Sequence, residues 1–109
     1  MRLKSTIRLL GLVVAIVAAA SGTALGVSQS VVIRGFAFAP PSVTIAPGEA
    51  ITWQNLDAVT HTATSDTGAF ADTGAIATGA SKTVTFANAG TYPYHCAIHP
   101  EMLGTVTVS

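Results

Sequence analysis

From residue 27 onward, the sequence breaks into short runs in which apolar and polar residues alternate, with Gly, Pro, Asn and Asp between the runs. A period of two places alternate side chains on one face of a strand, whereas a helix needs apolar residues three and four apart. Short runs of this kind at turn-like spacing are typical of a β-sandwich or barrel. The sequence therefore predicts an all-β fold of six to eight short strands. The predicted strands are Val31 to Phe38, Val43 to Ile45, Ile51 to Gln54, Val59 to Thr64, Thr83 to Phe86, a strand with Tyr92, Tyr94 and Cys96 on one face, and Thr105 to Val108.

Two parts of this pattern are irregular. Residues 65–80 are rich in Gly, Ala, Asp and Thr, so we expect a loop or a weak edge strand there, with Phe70 and Ile76 directed inward. Pro93 lies inside a predicted strand, although proline cannot donate a hydrogen bond to a sheet ladder. We expect a bulge at Pro93 or an amide position that faces an edge.

The first 26 residues form a separate segment. Three basic residues precede an unbroken apolar run from Leu9 to Ala20, and small residues follow the run. This order is typical of a secretory signal peptide, with cleavage after Ala24 or Gly26. A retained membrane anchor is the alternative, although polar residues dilute the run below the roughly 20 apolar residues of a spanning helix. We predict a signal peptide over residues 1–26 and one domain over residues 27–109. The exported domain would lie in the periplasm, outside the cell or at the cell surface, and would contact a membrane only if the leader is retained.

Removal of the leader would make the chain acidic. Three of its five basic residues lie in that segment, so Arg34 and Lys82 remain against five acidic residues, a net charge of −3 with neutral histidines. A surface that is acidic and carries few charges argues against nucleic acid as a partner. An apolar or weakly basic protein surface is a better match.

The most informative stretch is Tyr94 to Gly104, which follows a predicted strand and contains Cys96, His99 and Met102 at intervals of three. A second imidazole, His61, follows a turn earlier in the chain. One thiolate, two imidazoles and a thioether form the donor set of electron-transfer copper sites, which are trigonal His2Cys with a weak axial Met. The set predicts one copper ion that alternates between Cu(II) and Cu(I).

Each of these residues also has an ordinary interpretation. A lone free cysteine is usually a buried core residue, and a lone methionine usually packs in the core. The joint pattern is more informative, because the chain has only three histidines, one cysteine and two methionines. The lone cysteine also excludes an intramolecular disulfide, so in an exported protein it needs a separate explanation. His95 adjoins Cys96 and should point to the opposite face of the strand, away from the metal.

The segments Gly90 to Cys96 and His99 to Gly104 resemble the cupredoxins, especially the plastocyanin and amicyanin group. Upstream segments carry the same resemblance: Phe36 to Pro40, Pro47 to Asn55 with Asp57 and His61, and Thr85 to Gly90. The resemblance implies a Greek-key β-sandwich in which His61, Cys96 and His99 are strong copper ligands and Met102 is the axial ligand. Many members carry Asn after the first histidine, where it ties two ligand loops together. Thr62 stands there in this chain, and we expect Thr62 or Asn55 to replace it.

The leading functional hypothesis is a blue copper protein, not an enzyme, that carries single electrons between redox partner proteins. Copper buffering or delivery is the alternative, although delivery proteins tend to have exposed sites rich in Met or His. An enzyme with exposed copper would need a substrate pocket and an acid–base pair near the motif. The uncharged residues around His99 predict an apolar docking surface. The alternative for that surface is that Ile98 and Leu103 fold inward to shield the metal.

Overall fold

The computed structural model describes residues 27–109, which form two four-stranded β-sheets packed face to face. The predicted leader therefore lies outside the described residues. Within residues 27–109 there is no α-helix, and no helix long and apolar enough to cross a membrane is found among them. The strands are β1 (Ser28–Ile33), β2 (Phe38–Ala39), β3 (Ser42–Ile45), β4 (Ala50–Asn55), β5 (Thr64–Ser65), β6 (Ser81–Thr85), β7 (Gly90–His95) and β8 (Leu103–Val108).

The chain passes repeatedly from one sheet to the other. One sheet has the strand order β2-β1-β4-β6 and the other has the order β3-β8-β7-β5. The pairs β1–β4 and β3–β8 are parallel, and the remaining pairs are antiparallel. A parallel pair cannot be closed by a tight hairpin, so the connections cross between sheets. This confirms the predicted sandwich.

The core lies between the sheets and follows the period of two. Val31 and Ile33 of β1, Ile51 and Trp53 of β4, and Val106 and Val108 of β8 are all buried. Removing each such side chain from water contributes about 1.5–3 kcal/mol. Trp53 and Tyr94 meet edge to face with ring centroids 5.4 Å apart, which joins the two sheets at the centre of the core.

Two strand predictions were wrong in extent. The predicted strand Val31 to Phe38 is two strands, because residues 34–37 form a turn in which Arg34 and Ala37 exchange backbone hydrogen bonds. Gly35 and Phe36 both have positive φ in this turn, at 62° and 58°. The predicted strand Val59 to Thr64 is reduced to β5 and an isolated bridge between His61 and Ile76.

Pro93 is accommodated at the end of a short neighbouring strand. Its carbonyl accepts a hydrogen bond from the amide of Asp66, so its nitrogen faces the side of β7 on which β5 lies. Strand β5 ends at Ser65, so no ladder bond is lost there. Of the two predicted arrangements, a bulge or a nitrogen that faces an edge, the structure has the second. The loop prediction for residues 65–80 is also confirmed, with Ile76 buried and Phe70 packed against the core.

Candidate metal centre

The loop between β7 and β8 places Cys96, His99 and Met102 at one end of the sandwich. The amide of Cys96 donates to the carbonyl of Met102 (3.1 Å), and the amide of Met102 donates to the carbonyl of His99 (2.9 Å). These two bonds close the segment into a compact turn. Cys96 and Met102 are buried and His99 is half-buried, so the turn presents its donors inward and one imidazole toward solvent.

His61 reaches the same end of the sandwich from outside both sheets. It lies on the segment between β4 and β5, where its amide and carbonyl both bond to Ile76. Asn55, buried at the end of β4, donates from its side-chain amide to the carbonyls of Val59 (2.8 Å) and Ile76 (2.8 Å). The backbone of His61 is therefore held from both directions, although it belongs to no long strand.

The three side chains converge on one point. The Nδ1 atoms of His61 and His99 lie 3.7 Å and 3.9 Å from Sγ of Cys96, and the donor atoms of all three residues lie within 4.8 Å of one another. Metal–sulfur and metal–imidazole bonds of about 2.3 Å and 2.0 Å at 120° give a separation of about 3.7 Å. The donors therefore fit one ion in a trigonal arrangement, and their mixed softness suits copper.

Thr62 ties the two ligand segments together. Its amide donates to Sγ of Cys96 (3.3 Å), and its hydroxyl accepts a hydrogen bond from the amide of Ala97 (2.7 Å). The residue is buried, so these contacts are shielded from water. We expected Thr62 or Asn55 to replace the family's usual Asn as the link between the two ligand segments. Thr62 makes this link. Asn55 bonds only within the segment that carries His61.

Asp57 and Phe36 form an outer layer that the sequence analysis did not assign to the site. Oδ2 of Asp57 lies 2.9 Å from Nε2 of His61, on the far side of the ring from Cys96. The Phe36 ring lies edge to face with both imidazoles, at 5.2 Å from His61 and 4.9 Å from His99. Burial acts to raise the pKa of Asp57, but hydrogen bonds from the amides of Phe36 and Gly35 and from His61 outweigh it and lower the pKa.

His95 points away from this cluster, as predicted. Its Nδ1 lies 2.6 Å from Oδ1 of Asp66, on the opposite face of β7 from Cys96. Both side chains of this pair are partly exposed. Strand alternation is therefore sufficient to separate the adjacent residues His95 and Cys96.

Exposed apolar side chains surround the half-buried His99. Leu103 is 64% exposed, Ile98 is 50% exposed and Phe36 is 48% exposed. The alternative that Ile98 and Leu103 fold inward is therefore wrong. The turn itself and buried Met102 would shield a bound ion from water, so the apolar side chains stay on the surface.

Comparisons with known proteins agree with this fold and cluster. Residues 25–109 match the family model described as copper binding proteins, plastocyanin/azurin family. The chain is 33% identical over 72 residues to amicyanin of Paracoccus denitrificans, and the match covers 62% of this chain and 55% of that protein. The chain thus spans little more than half the length of this relative.

Solved amicyanin structures superpose on most of the chain. The reduced form of a tryptophan-to-tyrosine mutant of amicyanin has a TM-score of 0.72 at 27% identity, covering 77% of this chain and 84% of that one. The Cu(I) form of a methionine-to-alanine mutant has a TM-score of 0.71 at 30% identity, covering 80% and 86%. With the family model matching most of its length, the chain belongs to the plastocyanin/azurin family of copper-binding proteins, the cupredoxins.

Proposed function

We propose that this protein carries single electrons between redox partner proteins in an exported compartment. In this proposal His61, Cys96 and His99 are the strong ligands of one copper ion, and Met102 is the weak axial ligand. The observation that supports it most is the placement of two Nδ1 atoms 3.7 Å and 3.9 Å from one buried sulfur. A bound copper ion supplies the one-electron Cu(II)/Cu(I) couple.

The chain's own residues supply rigidity and access. His61 and Cys96 are each held by backbone and side-chain hydrogen bonds, so the donors have little freedom to rearrange when the oxidation state changes. His99 alone is half-exposed, which makes its imidazole the natural route for an electron between the metal and a partner. Burial of the donors argues against the alternative of copper delivery, since a delivery site must release its ion readily.

Absorption spectra of the domain titrated with Cu(II) would test the site. We expect an intense band in the red from charge transfer between thiolate and copper, and we expect Cys96→Ser to remove it while the β-fold remains. His61→Ala should lose or change the band, whereas His95→Ala, its control on the other face of β7, should keep it. A pale spectrum for the unmodified protein, or equal damage from the two histidine variants, would refute the assignment.

The apolar surface around His99 supports a docking role. Residues 27–109 carry a net charge of −3, but Glu101 is the only charge between Cys96 and the C-terminus, so the partner should present an apolar or weakly basic face. Leu103→Lys should slow electron exchange and leave the red band unchanged. Exchange between the Cu(I) and Cu(II) forms, measured by NMR line broadening, is the assay.

Ala87→Lys is the matched control for docking. Ala87 is exposed in the loop that precedes β7, whereas Cys96 follows β7, and a six-residue strand separates the two by about 20 Å. The control should exchange electrons at the unmodified rate. If Leu103→Lys also exchanges at that rate, the electron leaves elsewhere.

The leader is part of the same proposal. We infer that residues 1–26 direct export and that residues 27–109 are the functional domain, in the periplasm or at the cell surface. The basic, apolar and small-residue segments in that order support this. The N-terminal sequence of the protein recovered from its native host would identify the cleavage site after Ala24 or Gly26. An N-terminus at Met1 in membrane fractions would instead indicate a retained anchor.

A further inference from the structure

Asp57 lies beside the cluster and links the segments around it by hydrogen bonds. Its carboxylate accepts hydrogen bonds from the amides of Gly35 (2.7 Å, to Oδ1) and Phe36 (2.9 Å, to Oδ2), and Oδ2 also meets Nε2 of His61 (2.9 Å). Its own amide donates to Oδ1 of buried Asn55 (2.9 Å). One carboxylate therefore joins the turn after β1 to the segment that carries His61.

The contact with His61 determines which ring nitrogen carries the proton. An ionised carboxylate only accepts hydrogen bonds, so Nε2 of a neutral His61 ring must be the protonated nitrogen. Nδ1, which faces Sγ of Cys96, then presents its lone pair toward the centre of the cluster. A carboxylate in this position also makes the imidazole a stronger donor to a metal. His61 is fully buried and the Asp57 side chain is only 11% exposed, so water competes little for this bond.

The contacts with Gly35 and Phe36 hold an unusual turn. Phe36 has φ of 58°, a left-handed conformation that a bulky residue rarely adopts. Two successive amides in such a turn form a concave site for an anion, and here the Asp57 carboxylate occupies it. The same turn places the Phe36 ring against the edges of both imidazoles.

We propose that Asp57 is a positioning residue of the metal centre, which fixes the tautomer of His61 and seats Phe36 against both histidines. This rests on the proposed copper site. By strengthening His61 as a donor, the carboxylate stabilises Cu(II) relative to Cu(I) and thereby lowers the reduction potential of the protein.

The reduction potential of Asp57→Asn tests the effect on copper. An amide replaces one accepting oxygen with a donor, so it cannot accept from Gly35, Phe36 and His61 together, and the negative charge is lost. Loss of a partner beyond the ligands typically weakens metal binding about 10–100-fold. If Cu(II) affinity falls about tenfold while Cu(I) affinity is unchanged, the potential rises by about 59 mV.

Asp66→Asn is the matched control, because it removes the carboxylate from the exposed pair with His95 and makes the same change of charge. Its potential should stay close to that of the unmodified protein. Equal shifts of the reduction potential in the two variants would mean that only the net charge matters, and would overturn the proposal. No shift in Asp57→Asn would also overturn it.

A measurement on the metal-free protein separates this inference from the proposed function. In ¹⁵N NMR spectra at a pH where the ring is neutral, His61 of the unmodified protein should carry its proton on Nε2. Asp57→Asn should give a mixture of tautomers, and Asp66→Asn should leave His61 unchanged. A proton on Nδ1 in the unmodified protein would refute the role of Asp57, whether or not the protein forms a blue copper site.

Discussion

Replacing Thr62 with Val removes the hydroxyl that links the His61 segment to the Cys96 loop and leaves the shape of the side chain nearly unchanged. The hydroxyl accepts from the amide of Ala97 (2.7 Å) and bonds to Oγ1 of Thr64 (2.8 Å). Thr64 also bonds to Asp72 and is only half-buried, so its hydroxyl can find water instead. The amide of Ala97 loses its partner beside a buried residue.

The magnitude follows from that lost partner. Ala97 is exposed and this bond is only partly buried, so water can replace some of it. A typical intramolecular hydrogen bond contributes about 0.5–1.5 kcal/mol, so we expect Thr62→Val to lower the free energy of unfolding of the metal-free protein by about 1 kcal/mol. Urea slopes for small domains are about 1–3 kcal/mol per molar, so the midpoint should fall by about 0.3–1 M. Fluorescence of Trp53, the only tryptophan and fully buried, reports the transition.

Two control variants separate loss of the Thr62–Ala97 hydrogen bond from other effects of the substitution. Thr62→Ser keeps the hydroxyl and should retain most of the stability. Thr64→Val removes the bonds to Thr62 and Asp72 but leaves the amide of Ala97 paired, so it should cost less than Thr62→Val. Amide exchange of Ala97 should accelerate only in Thr62→Val. The reasoning fails if Thr62→Val unfolds at the same urea concentration as the unmodified protein, or if Thr64→Val is equally damaging.

Three further predictions concern the core and the axial position. Gly104→Ala should lower the melting temperature by several degrees, because a Cβ at Gly104 would overlap the ring of Tyr94, its partner in β7. Overpacking of this kind costs about 1–3 kcal/mol, and unchanged thermal unfolding would contradict the prediction. Burial raises the pKa of Tyr94 to about 12, so the tyrosine of the unfolded state ionises first. The protein should therefore lose about 2 kcal/mol of stability as pH rises from 10 to 12. Tyr94→Phe should lack this loss in urea titrations at high pH and should not be less stable at pH 7, since the hydroxyl has no hydrogen-bond partner. Met102→Gln should keep copper bound and lower the reduction potential by voltammetry, and complete loss of copper would argue against an axial role.

Most strands could be predicted because their alternation reflects burial on one face of a sheet. Strands β4, β6 and β8 lie within one or two residues of the predicted runs, since Ile51, Trp53, Val106 and Val108 alternate with polar residues and are all buried. The turn at residues 34–37 was missed because it lies inside a run that is apolar apart from Arg34. Gly35 allowed a turn there, but Phe36 gave no sign of a left-handed conformation.

The site residues that lie close together in the sequence could be predicted, whereas those that depend on contacts between distant residues could not. Three of its residues lie within seven positions of one another, and their spacing alone made the motif visible. Asp57 lies four residues before His61, but its other partners, Gly35 and Phe36, precede it by 22 and 21 positions. A single acidic residue in a loop gives no indication of which distant amides it accepts from. Its role therefore became visible only from the packed structure.

The arrangement of the cluster explains why a chain of this size can support it without a disulfide. Cys96 and His99 belong to a turn closed by its own backbone bonds, and His61 belongs to a segment fixed by Asn55 and Asp57. The two units meet through Thr62 and through packing of the sheets. A site assembled in this way binds its ion in a geometry set by the fold, which limits rearrangement when one electron enters or leaves. The hydrogen bonds of Thr62 and Asp57 are therefore where changes in the sequence should alter electron transfer while the fold is preserved.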